Sequence, residues 1–309
     1  MGCMINNTLE RVIRKSGFKG KIRREVPMSE ITSFRIGGPA DLCLFPKDRQ
    51  DLQIAMALFR DRGLPVLLLG NGTNLLVTDK GIREPLINLS HGCQEISKQE
   101  HKVIAGAGVG LPQLLNFCAA HALSGLEALA GIPGTVGGGI RMNAGSWGME
   151  IGDHISSLLV MDHAGETRQV TREQVAFGYR GISLPFDGII LQGEFSLHKG
   201  KKDEIANRIA EFLRKKRETQ PLAQPSAGSI FKNPPDMPAG RLIEEVGLKG
   251  TRRGDAMISP LHANFIVNMG TAQARDVLAL IELIRKRVYQ EKRIGLELEV
   301  LIIGEQAMA

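Results

Sequence analysis

The sequence predicts an α+β protein built from two domains. Its 309 residues correspond to two domains at about 150 residues each. Strands first alternate with helices and then follow one another without helices, which favours an α+β arrangement over eight regular βα units. The 36 glycines are clustered rather than scattered, which indicates loops where the backbone approaches a ligand closely.

The N-terminal part of the chain carries patterns for three helices and several short strands. Helical spacing of apolar residues predicts helices at residues 8–15, 48–62 and 112–123. Apolar runs predict strands at residues 41–46, 64–69, 75–78, 84–89 and 102–106. A glycine-rich tract at residues 131–148 follows these elements.

Short strands come after the glycine-rich tract and lead to a helix at the domain boundary. Strands are expected at residues 158–162, 167–171 and 189–196. A helix is expected at residues 203–218, where the apolar residues on one face are Ile205, Ile209, Phe212 and Leu213. The flanking residues 199–202 are polar, so we place the domain boundary near residue 200.

The last third of the chain ends with a long helix and a strand. The helix is indicated by the spacing of Val277, Ile281, Ile284 and Val288. Gly295 then opens a strand at residues 296–303, where Glu299 shares a face with two aliphatic residues. A carboxyl in that place is expected to be partly buried and easier to protonate than a free one. The alternative is an edge-strand charge that discourages aggregation.

Composition argues against several classes of protein. No apolar run approaches the roughly 18 residues of a membrane helix, and residues 1–6 carry no signal-peptide core. The cysteines lie far apart without a C-x-x-C pair, which disfavours a metal site or a disulfide framework and fits a reducing cytoplasm. They are Cys3, Cys43, Cys93 and Cys118. The net charge of +6 can attract a phosphorylated substrate or a polyanion, but 5% aromatic residues provide few platforms for stacking nucleic-acid bases.

The first glycine cluster is the run Gly70-Asn71-Gly72-Thr73-Asn74, which ends a buried strand. Successive N–H groups in such a run can surround a phosphate, and the Asn and Thr side chains add donors. The run lacks the Lys-Ser/Thr ending of a P-loop. A tight turn between two strands is the alternative interpretation.

The second cluster covers residues 130–139 and 143–148, and it is too long for an ordinary connection of about 4–6 residues. Together the clusters suggest a long ligand with a diphosphate and a flat ring, held by main chain; a glycine-rich packing corner is the alternative. Residues 106–110 resemble a Rossmann fingerprint with Glu127 as the ribose-binding acid. Leu111 stands where the third glycine belongs, so we interpret this segment as a βα turn.

Two further segments carry polar groups that suit a substrate. Residues 225–234 present Ser229, Lys232 and Asn233 in a loop bracketed by prolines. Ser229 is not in a nucleophile elbow, and His262 has no triad spacing, so a hydrolase is disfavoured and a turn serine is the alternative. In the run 177–180, Arg180 can present a fixed fork to a carboxylate or phosphate, although surface arginines are common.

Taken in order, these motifs resemble one family of flavoenzymes. The matching segments are residues 32–41, 70–77, 125–148, 177–180, 225–234, 239–245, 262–268 and 299–304. Each is short, but their order along nearly the whole chain is specific. The sequence is similar to the UDP-N-acetylenolpyruvoylglucosamine reductase family, the flavoenzymes of peptidoglycan precursor synthesis.

The resemblance implies a fold and a cofactor. Residues 1–199 would form an FAD-binding domain of the vanillyl-alcohol-oxidase (PCMH) type, and residues 200–309 an α/β substrate-binding domain. FAD would bind non-covalently between the two glycine clusters. The residues carried over to FAD binding are Gly70, Asn71, Gly72, Thr73, Asn74, Leu75, Ile132, Pro133, Gly134, Thr135, Gly137, Gly138, Asn143 and Gly145.

The resemblance also implies a reaction and its residues. NADPH would pass a hydride to flavin N5, and the reduced flavin would pass it to the enolpyruvyl carbon of UDP-N-acetylglucosamine enolpyruvate, giving UDP-N-acetylmuramate. The catalytic positions are Arg180, Ser229 and Glu299, with Ser229 as the proton donor. The substrate-contacting positions are Tyr179, Lys232 and Asn233. No tyrosine lies between residues 180 and 229, so the chain resembles the shorter subclass without a tyrosine-bearing loop.

Two rival interpretations remain beside this one. Another flavoprotein on the same scaffold, such as an oxidase, often tethers FAD through His or Cys, and residues 70–77 and 131–148 contain neither. A basic nucleic-acid-binding module is supported by the charge alone and disfavoured by scattered charge and few aromatics. We expect a monomeric cytoplasmic enzyme with no nucleic-acid, membrane or metal partner.

Overall fold

The computed structural model describes residues 7–305, and these form two compact units. The described residues of the first unit are 7–23, 42–71 and 84–215. The described residues of the second unit are 24–41, 72–83 and 216–305. The predicted division into residues 1–199 and 200–309 contains no such exchange of segments, and it remains a prediction. Residues 1–6, with Cys3, lie outside the described part of the chain.

Residues 7–305 contain seven α-helices and twenty short strands. The helices are α1 (Asn7–Lys15), α2 (Arg49–Arg60), α3 (Leu111–Ala120), α4 (Val136–Arg141), α5 (Lys202–Thr219), α6 (Ala239–Glu245) and α7 (Ala274–Lys292). The strands are β1 (Lys21–Pro27), β2 (Pro39–Phe45), β3 (Leu67–Leu69), β4 (Leu75–Val77), β5 (Leu86–Asn88), β6 (Ile96–Gln99), β7 (Lys102–Gly106), β8 (Leu123–Ser124), β9 (Gly145–Ser146), β10 (Met149–Glu150), β11 (Ile155–Asp162), β12 (Thr167–Thr171), β13 (Ala176–Gly178), β14 (Gly181–Ser183), β15 (Gly188–Ser196), β16 (His198–Lys199), β17 (Arg252–Arg253), β18 (Ala256–Ile258), β19 (Ile266–Asn268) and β20 (Leu301–Ile303).

An antiparallel sheet dominates the first unit. Its five strands run in the order β12-β11-β15-β7-β6, with Leu158 opposite Val170 and Gln192 opposite Gly106. One face of this sheet contributes to a core with α3 and α4, in which Val160 is fully buried. The apolar face predicted for α5 packs against the same core.

Parallel strands form the second core of the first unit. β2 and β3 both pair with β5 in parallel, and Leu44 and Ile87 pack with Phe59 of α2. The helix α2 begins where the sequence predicts it because Asp48 accepts a hydrogen bond of 2.9 Å from the Asp51 N–H, which is the usual role of an N-cap aspartate.

The second unit has one core, built around α7. The face predicted from the sequence is buried at all four positions, Val277, Ile281, Ile284 and Val288. The other parts of this core come from α6, from the antiparallel sheet β17-β18-β19 and from the parallel pair β4-β20. Leu301 of β20 lies opposite Leu75 of β4, so the end of the chain pairs with a segment more than two hundred residues earlier.

Among the differences from the sequence prediction, two concern α4 and the last strand. The helix α4 lies inside the glycine-rich tract, where three consecutive glycines carry no helical signal. The strand predicted at residues 296–303 is regular over 301–303 alone, although Leu296 and Val300 are buried and Glu297 and Leu301 are exposed as the alternation requires. Residues 297–300 bond to the main chain of residues 230–232, which form a loop and not a strand. The segment therefore alternates in burial without belonging to a regular sheet.

Candidate active site

The first glycine loop begins at the carboxyl end of β3, and the chain passes from the first unit to the second between Asn71 and Gly72. Gly70 packs against Thr135 of the second glycine cluster: a Cβ at residue 70 would lie 2.6 Å from the Thr135 Oγ1. A side chain at residue 70 would displace the Thr135 hydroxyl, so glycine permits this close approach. Within the first unit, the structure thus brings the two predicted cofactor loops together at this point.

The second glycine loop is hydrogen-bonded to the turn at residues 106–110 and to Leu111. The N–H groups of Leu111, Val136 and Gly137 make main-chain bonds of 2.8–3.0 Å that join the two segments. A Cβ on Gly137 would lie 2.8 Å from the Ala107 Cβ. This turn therefore supports the loop, in agreement with its interpretation as a βα turn.

The Glu127 carboxylate is bonded to groups of the protein itself. Its carboxylate accepts hydrogen bonds from the Ser124 hydroxyl at 2.7 Å and the Gly125 N–H at 2.8 Å. Arg208 of α5 lies 3.6 Å away. The side chain is buried and anchors the segment that precedes the second glycine loop.

Several positions of the two glycine loops are exposed. The exposed positions of the predicted cofactor set include Asn71, Pro133 and Gly138, whereas Gly72 and Thr135 are buried. Thr135 accepts a hydrogen bond of 3.3 Å from the Gly138 N–H and so begins α4. A ligand held here would meet backbone and small side chains, and this fits a long cofactor bound without a covalent link.

Arg180 lies in the two-residue turn that joins β13 and β14. Gly178 pairs with Gly181 across this turn, and Arg180 has a φ of +59°. The Asn143 side-chain amide donates to the Gly178 carbonyl at 3.0 Å, and Arg141 donates to the Ile182 carbonyl at 3.1 Å. Both strands of the hairpin are therefore fixed to α4 and the residues that follow it.

Asn143 is fully buried, and its amide is used within the first unit. Besides Gly178, it donates to the Glu150 carboxylate, and its oxygen accepts from the Gly152 N–H at 3.2 Å. The contact with FAD that the family resemblance implies for Asn143 stays a prediction. Tyr179 is half exposed, and the Arg180 guanidinium carbon lies 5.0 Å from the centre of its ring.

Ser229 and Glu299 lie on neighbouring, hydrogen-bonded segments of the second unit. The Ile230 carbonyl accepts from the Glu299 N–H at 2.9 Å, and the Lys232 N–H donates to the Glu297 carbonyl at 2.9 Å. Two of the three predicted catalytic residues are thus brought into one region, although they are seventy residues apart in sequence. Both side chains are half-buried.

Asn74, predicted to bind the cofactor, also holds the Glu299 segment. Its amide donates to the Glu299 carbonyl at 3.0 Å, and its own carbonyl accepts from the Leu301 N–H at 3.0 Å. The first glycine loop is therefore bonded to the main chain of the segment that carries the predicted catalytic carboxyl. Apart from the presence of an amide in the loop, no sequence pattern indicates this link.

The two predicted substrate residues of the second unit also have protein contacts. The Lys232 ammonium lies 3.4 Å from the Glu297 carboxylate, and both groups reach solvent. The Asn233 side chain accepts a bond of 3.0 Å from the Ala239 N–H at the start of α6. Asn233 remains exposed.

His262 is half-buried and lies next to this region. Burial lowers the pKa of His262 below its usual value, and its Nδ1 accepts the Asn264 N–H at 3.3 Å. Asn264, which is absent from the predicted site residues, is buried and bonded to Phe231. Its only sequence signal is its place in the matching segment 262–268.

Two further features concern metal sites and membrane-spanning helices. Among residues 7–305, no group of His, Cys, Asp or Glu side chains has the arrangement of a metal site. No helix in this part of the chain has the length and apolar character that crossing a membrane requires.

Comparison with known proteins defines the class and then the family. A family profile described as FAD binding domain matches residues 40–171, and one described as UDP-N-acetylenolpyruvoylglucosamine reductase, C-terminal domain, matches residues 220–303. Together with the α+β fold and the paired glycine loops, these matches define an FAD-dependent oxidoreductase.

Relatives that match nearly the whole chain point to the same family as the C-terminal profile. The reductase of Syntrophus aciditrophicus is 43% identical over 296 residues, 94% of this chain and 95% of the relative. That of Clostridium novyi is 38% identical over 304 residues, 98% of this chain and 97% of the relative. The crystal structure of UDP-N-acetylenolpyruvylglucosamine reductase from Thermus caldophilus matches with a TM-score of 0.78 at 40% identity, covering 92% of this chain and 99% of that one. The chain belongs to the UDP-N-acetylenolpyruvoylglucosamine reductase family, which confirms the predicted family, fold class and cofactor.

Proposed function

We propose that the protein reduces UDP-N-acetylglucosamine enolpyruvate to UDP-N-acetylmuramate with NADPH, a step of peptidoglycan precursor synthesis. Support comes from relatives named UDP-N-acetylenolpyruvoylglucosamine reductase, which match nearly the whole chain. The structural observation that carries the proposal is the hydrogen bond between the Glu299 N–H and the carbonyl of the residue after Ser229. It keeps a carboxyl and a hydroxyl, the two proton-bearing groups that the reaction needs, on adjacent segments.

FAD, when bound, supplies hydride transfer from NADPH to the enolpyruvyl methylene carbon. Main chain of the two glycine loops is proposed to hold it, with Gly70 and Thr135 at their point of contact. Neither loop contains His or Cys, which supports non-covalent binding and disfavours an oxidase with a tethered flavin.

Arg180 is proposed to stabilise the negative charge that forms on the substrate. Hydride addition next to a carboxylate creates a dianionic enolate, and a preorganised donor at such a charge contributes about 3–4 kcal/mol in comparable sites. The guanidinium is always charged and can bind a carboxylate through two parallel hydrogen bonds. The anchored hairpin supports this role, since it fixes the turn before substrate arrives.

Glu299 is proposed to donate a hydrogen bond to the enolate, and Ser229 to supply the proton. An ionised Glu299 would repel the enolate, so it must be protonated in the reactive complex to donate a hydrogen bond, as in other sites that keep a carboxyl neutral. Ser229 would protonate the adjacent carbon. A hydroxyl is a weak acid, but an enolate is basic enough to take its proton, and no histidine partner is required.

The two half-reactions give a direct test. We expect Ser229→Ala to leave flavin reduction by NADPH unchanged and to slow flavin re-oxidation by UDP-N-acetylglucosamine enolpyruvate by about 10²–10⁴-fold, the usual contribution of a positioned proton donor. Stopped-flow absorbance of the flavin measures each step separately. Ser226→Ala, in the same loop, is the matched control and should leave both rates near wild type.

Other outcomes would contradict the proposal. Equal loss of both half-reactions in Ser229→Ala would indicate a structural role for the hydroxyl. Wild-type enzyme that is bleached by NADPH but re-oxidised by oxygen alone, and not by the enolpyruvyl sugar nucleotide, would support an oxidase instead. A colourless protein that releases no flavin on acid precipitation would contradict the function altogether.

A cytoplasmic, monomeric enzyme is part of the same proposal. Cys43, Cys93 and Cys118 are free and buried, as expected for a protein that folds in a reducing compartment. Burial raises the pKa of the Cys43 and Cys118 thiols to about 12, so neither thiol is a reactive nucleophile at neutral pH.

A further inference from the structure

We propose that Asn264 is a positioning residue, whose side-chain amide fixes the segment after Ser229 against the segment that carries Glu299. The inference rests on the function proposed above and adds a residue that this function does not assign. Asn264 would touch neither substrate nor cofactor. It would act through the peptide groups of residues 230 and 231.

The amide of Asn264 pairs with both polar main-chain groups of one residue. Its Oδ1 accepts the Phe231 N–H at 2.9 Å, and its Nδ2 donates to the Phe231 carbonyl at 2.8 Å. The Asn264 carbonyl also accepts the Ile230 N–H at 2.8 Å. One residue therefore makes three hydrogen bonds to the two positions that directly follow Ser229.

The same two positions are connected to the Glu299 segment. Phe231 forms an isolated β-bridge with Leu298, and the Ile230 carbonyl accepts the Glu299 N–H at 2.9 Å. On one side the segment after Ser229 is therefore bonded to Asn264, and on the other it is bonded to Glu299. A shift at residue 264 would move Ser229 relative to Glu299.

The Asn264 amide provides hydrogen bonds at a place where regular strand pairing is lacking. Around Ser229 the sheet-like contacts are isolated bridges, Ser229 with Phe265 and Phe231 with Leu298, and neither continues into a ladder. Asn264 is 3% exposed, so water cannot take over its bonds. Without the amide, the N–H and carbonyl of Phe231 would be buried and unsatisfied, and the loop would relax to satisfy them.

Asn268 offers a matched control in the same unit. It is also buried, and its amide also donates to main-chain carbonyls, those of Phe34 and Arg35, at 3.2 and 3.3 Å. Its oxygen accepts the N–H groups of Gly270 and Ala272. Variants at residues 264 and 268 thus cause the same kind of chemical damage, and the side-chain bonds lost at 268 do not involve residues 229–231. The main-chain bond of 2.9 Å from the Asn268 N–H to the Pro225 carbonyl is kept in the variant.

The test uses Asn264→Asp in the FAD-loaded enzyme. An ionised aspartate can accept from the Phe231 N–H but cannot donate to its carbonyl, whereas a protonated one restores both bonds. We expect flavin reduction by NADPH to stay within twofold of wild type. The limiting rate of re-oxidation by the enolpyruvyl sugar nucleotide should fall about 10- to 100-fold at pH 8, since small misplacement of reacting groups has effects of this size.

The pH profile separates positioning from general damage. As pH falls and the carboxylate introduced by Asn264→Asp gains its proton, the re-oxidation rate of the variant should rise toward that of wild type. Rates are taken as ratios to wild type at each pH, which removes the titration of the shared neighbours, namely Glu299, His262 and the two charged groups beside His262, Lys249 and Glu244. Asn268→Asp should show neither the selective loss nor the recovery.

Each outcome bears on the proposal. Suppose that the enolpyruvyl sugar nucleotide re-oxidises the wild-type enzyme. If Asn264→Asp then keeps the full re-oxidation rate at pH 8, Asn264 does not position the site. Equal selective loss in Asn268→Asp would also overturn the proposal, because the effect would then come from the unit as a whole. Should Asn264→Asp fail to fold, Asn264→Ser is measured for the same half-reaction split, and loss of both half-reactions contradicts the inference. Wild type that is not re-oxidised by the nucleotide refutes the proposed function, and the inference falls with it.

Discussion

Arg180 has a backbone conformation that arginine rarely adopts. Its φ of +59° lies in the left-handed region, which costs a non-glycine residue about 1–2 kcal/mol. Glycine would relieve this strain, but it would remove the guanidinium. The surrounding structure holds the conformation instead, through bonds from Asn143 and Arg141 to the two strands of the hairpin. Strain of this kind is typical of functional sites.

Replacement of Asn143 tests whether it serves Arg180 or the cofactor. Asn143 itself has a φ of +42°, so Asn143→Gly removes the amide without adding backbone strain. We expect FAD affinity within about threefold of wild type and re-oxidation by the enolpyruvyl nucleotide about tenfold slower, because the base of the Arg180 turn loses its bond. Flavin fluorescence titration and stopped-flow absorbance measure the two quantities.

The control is Ala122→Gly. Ala122 lies in the first unit and also has a positive φ, +56°. It should leave both the affinity and the rate unchanged. If Asn143→Gly instead weakens FAD binding more than tenfold and the loaded enzyme turns over normally, Asn143 is a cofactor contact as the family resemblance implies.

Side-chain identity could be read from the sequence better than side-chain partners. Glu299 was expected to be partly buried because of alternation along the chain, and it is half-buried. Asn74 was expected to bind a ligand, but its amide also bonds the Glu299 carbonyl. The choice between these partners depends on a segment 225 residues away, which no local pattern contains.

Helix α7 begins with help from a distant loop. The Asp79 carboxylate accepts hydrogen bonds from the Ala274 N–H at 2.7 Å and the Arg275 N–H at 3.0 Å. These N–H groups belong to the first turn, where a helix has no partners of its own. Asp79 therefore acts as a cap supplied from another part of the sequence, in addition to the local bonds of Gln273 and Asp276.

Removal of this cap should weaken the second unit. We expect Asp79→Ala to lower the free energy of unfolding by about 1–2 kcal/mol, as for other lost helix caps, with an unchanged denaturant slope. Urea unfolding followed by circular dichroism measures the change. Lys80→Ala, an exposed neighbour, should stay within about 0.5 kcal/mol of wild type, and an equal loss in both variants would show that Asp79 has no capping role.

Helices with a clear apolar stripe were predictable, and α4 was not. The stripes of α5 and α7 appear in the sequence at helical spacing, and both helices form. In α4 the sequence Val-Gly-Gly-Gly-Ile-Arg has weak intrinsic helix propensity. It forms because Thr135 caps its first turn and Gly137 packs against Ala107, and both facts depend on tertiary structure.

Each of the two units contains segments from distant parts of the sequence, whereas the division predicted from the sequence is linear. Local patterns mark a polar boundary near residue 200, but they carry no information about which core an early segment joins. In the structure, Phe34, Ile36 and Leu76 are fully or almost fully buried in the core around α7. Burial of this kind is a long-range property, so the interleaved units became visible in three dimensions alone.

This interleaving makes a prediction about residues 200–309 expressed alone. That fragment lacks three buried side chains of its core, the strand β4 that pairs with β20, and the Asp79 cap. Removal of one large buried side chain typically costs about 2–5 kcal/mol, and the whole stability of a domain is about 5–15 kcal/mol. The fragment should therefore show no cooperative thermal unfolding by circular dichroism.

A full chain cut at an engineered protease site at residue 200 after folding retains every segment and should still unfold cooperatively. A fragment that unfolds as sharply as the cut chain would mean that the segments 24–41 and 72–83 are dispensable to the core they occupy.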